Sequence, residues 1–376
     1  MSEGTATIAP RGLEGVVAAA TAVGSVEDGK LQYRGYSIDE LAPNASYEEV
    51  AYLLLNSDLP NAKQLAEFRA ELVEHRALSP FLGEVLEEMS RSGTAMDVLR
   101  TVVSASACED PDEGDNSHAA GYRKAIRLTA KMPTILAGYL RRRKGEQPIL
   151  PDPSLGHAAN FAKMAFGDAA HPRAAQVLNT CFILQAEHGL NASTFAARIT
   201  AATLADMHAA VTAGLAALKG PLHGGATDGT MKMLDEIGSV EAVPAFVDRG
   251  FATKYKFSGF GHRVYVNVDP RAKYLQKFAG EMAATAKGTP YFAIQEALVE
   301  EVNRRKHFPV NVDYYAATTY TYLGIPADLG TSIFAVGRIA GWCAHIIEQH
   351  DDNRLIRPES QYTGPTGKLW SPISTR

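Results

Sequence analysis

The chain has 376 residues, 46% hydrophobic and 21% charged, a balance that suits a globular protein with one large core or two domains. Its net charge of −5 supplies no basic surface for nucleic acid, its first ten residues lack the apolar run of a signal peptide, and no apolar stretch approaches membrane-spanning length. Three cysteines, Cys108, Cys181 and Cys343, form no CxxC pair, which argues against a disulfide framework and points to a reducing, cytoplasmic setting.

In chain order, Leu13 to Tyr33 carries the one β signal. Val16-Val17 and Lys30-Leu31-Gln32-Tyr33 flank Asp28-Gly29, a favoured hairpin turn pair. The period then becomes helical. Ser46 with Glu49 and Asn61 with Gln64 read as capping boxes that open two helices. Further helices are expected near Phe81–Ser90, Ala95–Ser106, Ala119–Arg142, Leu155–Phe166 and Arg173–Ala186. The basic run Arg141-Arg142-Arg143-Lys144 reads as a solvated helix C-terminus. After His188 the rhythm breaks, and Asn191 or Ser193 can cap a helix over Phe195–Leu204. Thr203 to Leu218 is apolar on nearly every side and reads as a core helix, ended by Gly220-Pro221.

Beyond His223 the texture changes. Charged helices over Met231–Ile237 and Val240–Asp248 precede a glycine-rich loop, then helices over Ala272–Lys287 and Tyr291–Arg305. Alanine-rich helix returns at Thr331–Ile347. The pattern predicts an all-α, two-domain, multi-helix fold with a short N-terminal β-hairpin. Residues 1–224 begin a large helical domain, 225–324 form a small one, and 325–376 return to the large one. Gly224-Gly225 and Gly324 are hinge candidates.

Four clusters can do chemistry: Glu187-His188, Pro221-Leu222-His223-Gly224-Gly225, Ser258 to Tyr265 around Gly261-His262, and Asn311-Val312-Asp313. Glycines beside His223 and His262 let backbone and ligand approach closely. Asp313 enters an apolar, aromatic run, where a carboxylate has a perturbed proton affinity suited to a general base; an N-cap aspartate is the alternative reading. Arg271 follows Asp269-Pro270, Arg338 lies inside an apolar helix where an unpaired cation is costly, and Arg357 precedes Pro358. Guanidinium groups of this kind suit a small polycarboxylate, and each also suits a structural ion pair. There is no HExxH or zinc-type Cys/His spacing, no GxxxxGK[ST] loop, and no GxGxxG after a strand.

Taken together, these pieces resemble the citrate synthase family over nearly the whole chain, from Gly12-Leu13-Glu14-Gly15 to Arg357-Pro358. The matching motifs are Glu187-His188 with Asn191-Ala192-Ser193-Thr194, Gly220 to Ala226, Gly259 to Tyr265 with Asp269-Pro270-Arg271, Asn311-Val312-Asp313, and Phe334 to Arg338. The resemblance implies a mostly helical homodimer, with active sites between a large and a small domain. It implies condensation of acetyl-CoA with oxaloacetate, needing no metal or further cofactor. By the same resemblance, Asp313 takes the methyl proton, His223 donates to the thioester carbonyl, and His262 polarises the ketone. His188, Arg271 and Arg338 bind oxaloacetate, joined by Arg357 from the partner subunit. Lys256, Gly259, Phe260, Gly261, Arg263, Lys306 and Asn311 receive coenzyme A.

Two residues depart from the family pattern. Gln185 stands where many relatives have histidine and is expected to alter how His188 is held. Val266 stands where a basic residue is usual, which removes one expected phosphate contact. The chain also lacks the extra N-terminal region of hexameric relatives, so a simple dimer is expected. Rival readings are a 2-methylcitrate synthase using propionyl-CoA, a catalytically inactive helical scaffold, and a metal-dependent lyase. One methylene is worth only about 1–3 kcal/mol in an apolar pocket, so the motifs leave the acyl preference open.

Overall fold

The computed structural model describes residues 8–262, 264–265 and 269–376. A hairpin comes first. Strands β1 (Gly24–Glu27) and β2 (Lys30–Tyr33) pair antiparallel with Glu27 opposite Lys30, and β3 (Tyr36–Ser37) adds to β2. Both turn residues have positive φ, Asp28 at 50° and Gly29 at 75°, which gives the turn whose twist matches paired strands. A two-residue loop leaves no freedom of register, so the partner of Lys30–Tyr33 is the segment directly before Asp28. The expected Val16-Val17 strand is therefore not formed, and Val17 is 90% exposed.

The helices follow. They are α1 (Ile38–Asn44), α2 (Tyr47–Asn56), α3 (Ala62–Glu74), α4 (Pro80–Ser90), α5 (Ala95–Ser106), α6 (His118–Arg143), α7 (His157–Phe166) and α8 (Ala174–Gln185). Next come α9 (Ala192–Ala201), α10 (Met207–Lys219), α11 (Ala226–Ile237), α12 (Val243–Thr253), α13 (Ala272–Ala283), α14 (Tyr291–Arg305), α15 (Val312–Tyr322) and α16 (Gly330–Asp351). Capping chemistry fixes many of the starts. The boxes at Ser46/Glu49 and Asn61/Gln64 are both formed, and Asn191 is the residue that caps α9. The core helix starts later than Thr203. Leu204 turns left-handed (φ 66°), and the Asp206 carboxylate accepts from Ala209 N (2.9 Å) to open α10 at Met207.

α16 is the axis of the core. It packs on α2, α6, α8, α9 and α10. The stretch Ala327–Asp351 is long and apolar enough to span a membrane, contrary to the sequence expectation, yet 89% of its apolar window is buried inside this fold. Two glycines let α8 press against it. A Cβ on Gly337 would lie 2.9 Å from the Phe182 carbonyl oxygen, and one on Gly341 would lie 2.1 Å from that of Ala186. The C-terminal end of α8, and the turn that follows it, are thereby laid directly on α16. Helices α11 to α15 pack mainly on one another, α13 along α15 and α12 along α14. They meet the rest through α13 on α8 and through α11 and α15 on α16.

Candidate active site

The turn after α8 is set by Glu187, which is fully buried. Its Oε1 lies 3.0 Å from His345 Nε2 on α16 and also accepts from Gly189 N. His188 follows in this turn, where its Nε2 sits 3.0 Å from Tyr265 Oη and its ring centroid 5.2 Å from that of His262. Burial, with Arg271 and Arg338 nearby, drives the His188 pKa well below the usual value, so the ring is neutral.

His223 follows α10 in a tight turn, with its own N–H and that of Gly224 both donating to Gly220 O (2.9 and 3.0 Å). Gly224 has no room for a side chain, since a Cβ would sit 2.3 Å from Leu218 O. The His223 Nε2 accepts from Ser193 N (3.3 Å) and lies 2.8 Å from Ser193 Oγ, itself held by Trp342 Nε1 (3.2 Å). With Nε2 engaged as acceptor, Nδ1 carries the proton. Burial first, then Arg338, lowers the His223 pKa to about 4, so the imidazole is neutral and its Nδ1–H is a donor.

His262 is presented by a loop that glycine makes possible. Gly259 (φ 80°) and Gly261 (φ 82°) adopt left-handed backbone, and a Cβ on Gly259 would lie 2.8 Å from the Tyr314 ring. The loop is clipped to the chain before α15. Gly261 N donates to Pro309 O (2.7 Å), Asn311 N to Gly259 O (2.9 Å), and Asn311 Nδ2 to Gly261 O (3.0 Å). His262 Nδ1 accepts from Val264 N (3.0 Å) and Tyr265 N (3.1 Å), which leaves the proton on Nε2. Burial, aided by Arg271, lowers its pKa to about 4.

Asp313 is not the N-cap of its helix. Asn311 caps α15, accepting from Asp313 N (3.1 Å), so the Asp313 carboxylate is not spent on capping, and its Oδ1 accepts instead from Thr227 Oγ1 (3.3 Å). Burial raises the Asp313 pKa to about 6, against the opposing pull of Arg271 and Arg338. Such a group is mostly ionised at neutral pH and still basic enough to hold a proton.

The two arginines differ. Arg271 grips Asp269 with both arms, Nε to Oδ1 (2.9 Å) and Nη2 to Oδ2 (2.8 Å), and Asp269 also accepts from Val312 N (3.0 Å). Burial would lower the Arg271 pKa, but Asp269 overrides it and holds the pKa above the usual value. Arg338 is 1% exposed, stacks over Phe334 (4.6 Å), and donates Nε to Gln185 O (2.6 Å). Its Nη1 is buried with no hydrogen-bond partner among the described residues, and burial lowers its pKa to about 10. A buried guanidinium with an unused donor is a costly arrangement that an anionic ligand relieves. The Gln185 side chain makes no hydrogen bond to His188 among the described residues. Its Nε2 donates to Tyr320 Oη (2.7 Å), so this departure from the family pattern bears on Tyr320.

The remaining expected residues are less gathered. Phe260 packs edge-on against Tyr314 (4.9 Å). Lys256 and Lys306 are exposed, with Lys306 Nζ 4.6 Å over the Phe308 ring. Arg263 and Val266 lie outside the described residues. Arg357 lies in the exposed segment after α16 and makes no hydrogen bond to the site residues among those described. Sequence reasoning missed the roles of Ser193 under His223 and of Thr227, whose Oγ1 lies 3.3 Å from Asp313 Oδ1.

Fold and site together define a mostly helical protein in which one carboxylate of raised pKa is gathered with neutral imidazoles around two buried guanidinium groups. A family model described as citrate synthase, C-terminal domain, matches residues 12–359. A Bacillus subtilis protein named citrate synthase 2 is 44% identical over 98% of this chain and 99% of its own length. A Corynebacterium glutamicum protein named 2-methylcitrate synthase 2 is 38% identical, covering 100% of each. The structure of citrate synthase from the archaeon Thermoplasma acidophilum, in complex with carboxymethyl coenzyme A and oxaloacetate, superposes with a TM-score of 0.92 at 31% identity, covering 97% of this chain and 99% of that one. The chain belongs to the citrate synthase family.

Proposed function

We propose that this chain condenses acetyl-CoA with oxaloacetate and hydrolyses the thioester, releasing citrate and coenzyme A. The observation that carries the reading is Asp313, a carboxylate whose pKa burial raises to about 6 and which shares Arg338 with His223 and Arg271 with His262, two imidazoles held neutral. A thioester α-proton is only weakly acidic. A carboxylate removes it when the developing oxyanion is stabilised at the same moment. Asp313 takes a methyl proton, and the Nδ1–H of His223 donates to the thioester oxygen as the enol forms. The enol carbon attacks the ketone carbon of oxaloacetate, whose oxygen is polarised by the Nε2–H of His262 and receives a proton as the new bond forms. Water then cleaves the thioester, and coenzyme A leaves as the free thiol. The reaction draws on no cofactor beyond its substrates.

Arg271, Arg338 and His188 receive the oxaloacetate carboxylates, and Arg357 of a second copy completes the set, so the working unit is a homodimer. Residues 225–324 form the small domain and close on 1–224 and 325–376 about Gly224-Gly225 and Gly324, shutting out water until the carbon–carbon bond has formed. Coenzyme A lies along Lys256, Gly259, Phe260, Gly261, Arg263, Lys306 and Asn311. The unpaired cysteines fit a cytoplasmic location.

Release of free thiol tests the reading, with acetyl-CoA and propionyl-CoA in parallel and with oxaloacetate present or withheld. Oxaloacetate-dependent release with acetyl-CoA, reduced at least about a hundredfold in Asp313→Asn, is expected. Faster release with propionyl-CoA would align the chain with its 2-methylcitrate synthase relative. No release with either acyl-CoA would favour an inactive scaffold.

A further inference from the structure

The carboxylate of Asp313 has one neutral hydroxyl directed at it from another helix, that of Thr227 in the first turn of α11. We infer that Thr227 is a positioning residue for the base: it pins Asp313 Oδ1, lowers the carboxylate's proton affinity, and leaves Oδ2 to meet the substrate. The inference rests on the reading of Asp313 as the proton acceptor.

Three observations carry it. Thr227 is 3% exposed, and its Oγ1 lies 3.3 Å from Asp313 Oδ1 across the interface between α11 and α15. Asp313 Oδ2 makes no hydrogen bond among the described residues, so the two oxygens are not equivalent. The Thr227 side chain is packed from behind. A Cβ on Gly330, the first residue of α16, would sit 2.4 Å from the Thr227 methyl and 3.2 Å from its Oγ1, so the side chain occupies the space that Gly330 leaves open while its hydroxyl meets Asp313 Oδ1. The comparison within α11 is instructive. Thr230, one turn on, spends its hydroxyl on its own helix, donating to Ala226 O (2.8 Å), the usual behaviour of a helical threonine. Thr227 reaches across instead.

The charged and titratable groups facing Asp313 come from several elements. Arg271 at the start of α13 and Arg338 on α16 favour the carboxylate, while Asp269 in the loop before α13 opposes it. Tyr320, two turns along α15, feels the Asp313 charge. The Thr227 hydroxyl acts with the arginines and stabilises the ionised form. A valine at this position keeps the shape and the packing on Gly330 while removing the donor.

The test is the pH dependence of kcat/KM for thiol release in the wild type, Thr227→Val, Thr227→Ala and Thr227→Ser, with thermal unfolding of each. In Thr227→Val and Thr227→Ala the acidic limb is expected to move up by about half to one pH unit. Thr227→Ser is expected to return it toward the wild-type position. Coincident acidic limbs in the wild type and whichever of the valine and alanine variants folds would overturn the inference. So would a fall in melting temperature with no movement of the limb, because a purely structural threonine behaves in that way. Asp313→Asn, run alongside, separates the two claims. If it keeps full turnover, the reading of Asp313 as base fails on its own account, whatever Thr227 does.

Discussion

At the residue scale, Asp313 carries a cost of the site that pH exposes. Its pKa is raised to about 6, so the folded protein disfavours the ionised form relative to the unfolded chain. The sign follows directly. Below about pH 4 the carboxyl is protonated in both states and contributes nothing to this balance. Between about pH 4 and 6 the unfolded chain ionises first and gains the advantage, and above about 6 the penalty is fully present. Asp313→Asn removes that penalty. It is expected to gain about 1–2 kcal/mol of stability at pH 8, a value discounted because the side chain is only half-buried, and to gain little at pH 4. Denaturant midpoints measured at the two pH values check this. A variant that is both inactive and more stable identifies a residue kept for its chemistry.

At the element scale, the clearest prediction concerns α16. Gly341→Ala drives a Cβ toward the Ala186 carbonyl, which would lie 2.1 Å away, and toward Glu187 Oε2 at 2.8 Å. The turn carrying His188 must move, because backbone has no rotamer into which it can retreat. A loss of at least about 2 kcal/mol in urea unfolding is expected, together with a raised KM for oxaloacetate. This scale also shows what was legible in the sequence. Capping boxes at Ser46 and Asn61 could be read because donor and acceptor lie three residues apart. Gly259 and Gly261 could be read as a loop built for close approach. The start of α10 lies beyond Thr203 because Leu204 turns left-handed and Asp206 caps the helix; Thr203-Leu204 extends the apolar run and hides the turn, while Asp206 is the cap signal the sequence carries. The contacts of Ser193 with His223 and of Thr227 with Asp313 join residues 30 and 86 positions apart. No periodicity encodes such pairs. They exist only once helices have packed.

At the scale of the whole molecule, the contacts that tie α13 to the elements beyond it are weak ones. Arg173 pairs with Glu281, Lys273 Nζ lies 2.7 Å from Asp39 Oδ1, and Tyr274 Oη lies 3.0 Å from the same atom. All sit near the surface, where an ion pair is worth at most about 1 kcal/mol. The two buried arginines have a subtler effect on timing. Arg271 and Arg338 both pull the Asp313 pKa down while the cleft holds no anion. On the proposed reading, oxaloacetate brings two carboxylates to those same guanidinium groups and cancels much of that pull, so the base is expected to grow stronger when the acceptor arrives. The acidic limb of kcat should then lie above that of kcat/KM for oxaloacetate. Exchange of the acetyl-CoA methyl protons with deuterated water should be slow until a non-reacting dicarboxylate fills the oxaloacetate position. In these terms the arginines are an interlock: the carbon nucleophile is not made until there is something for it to attack.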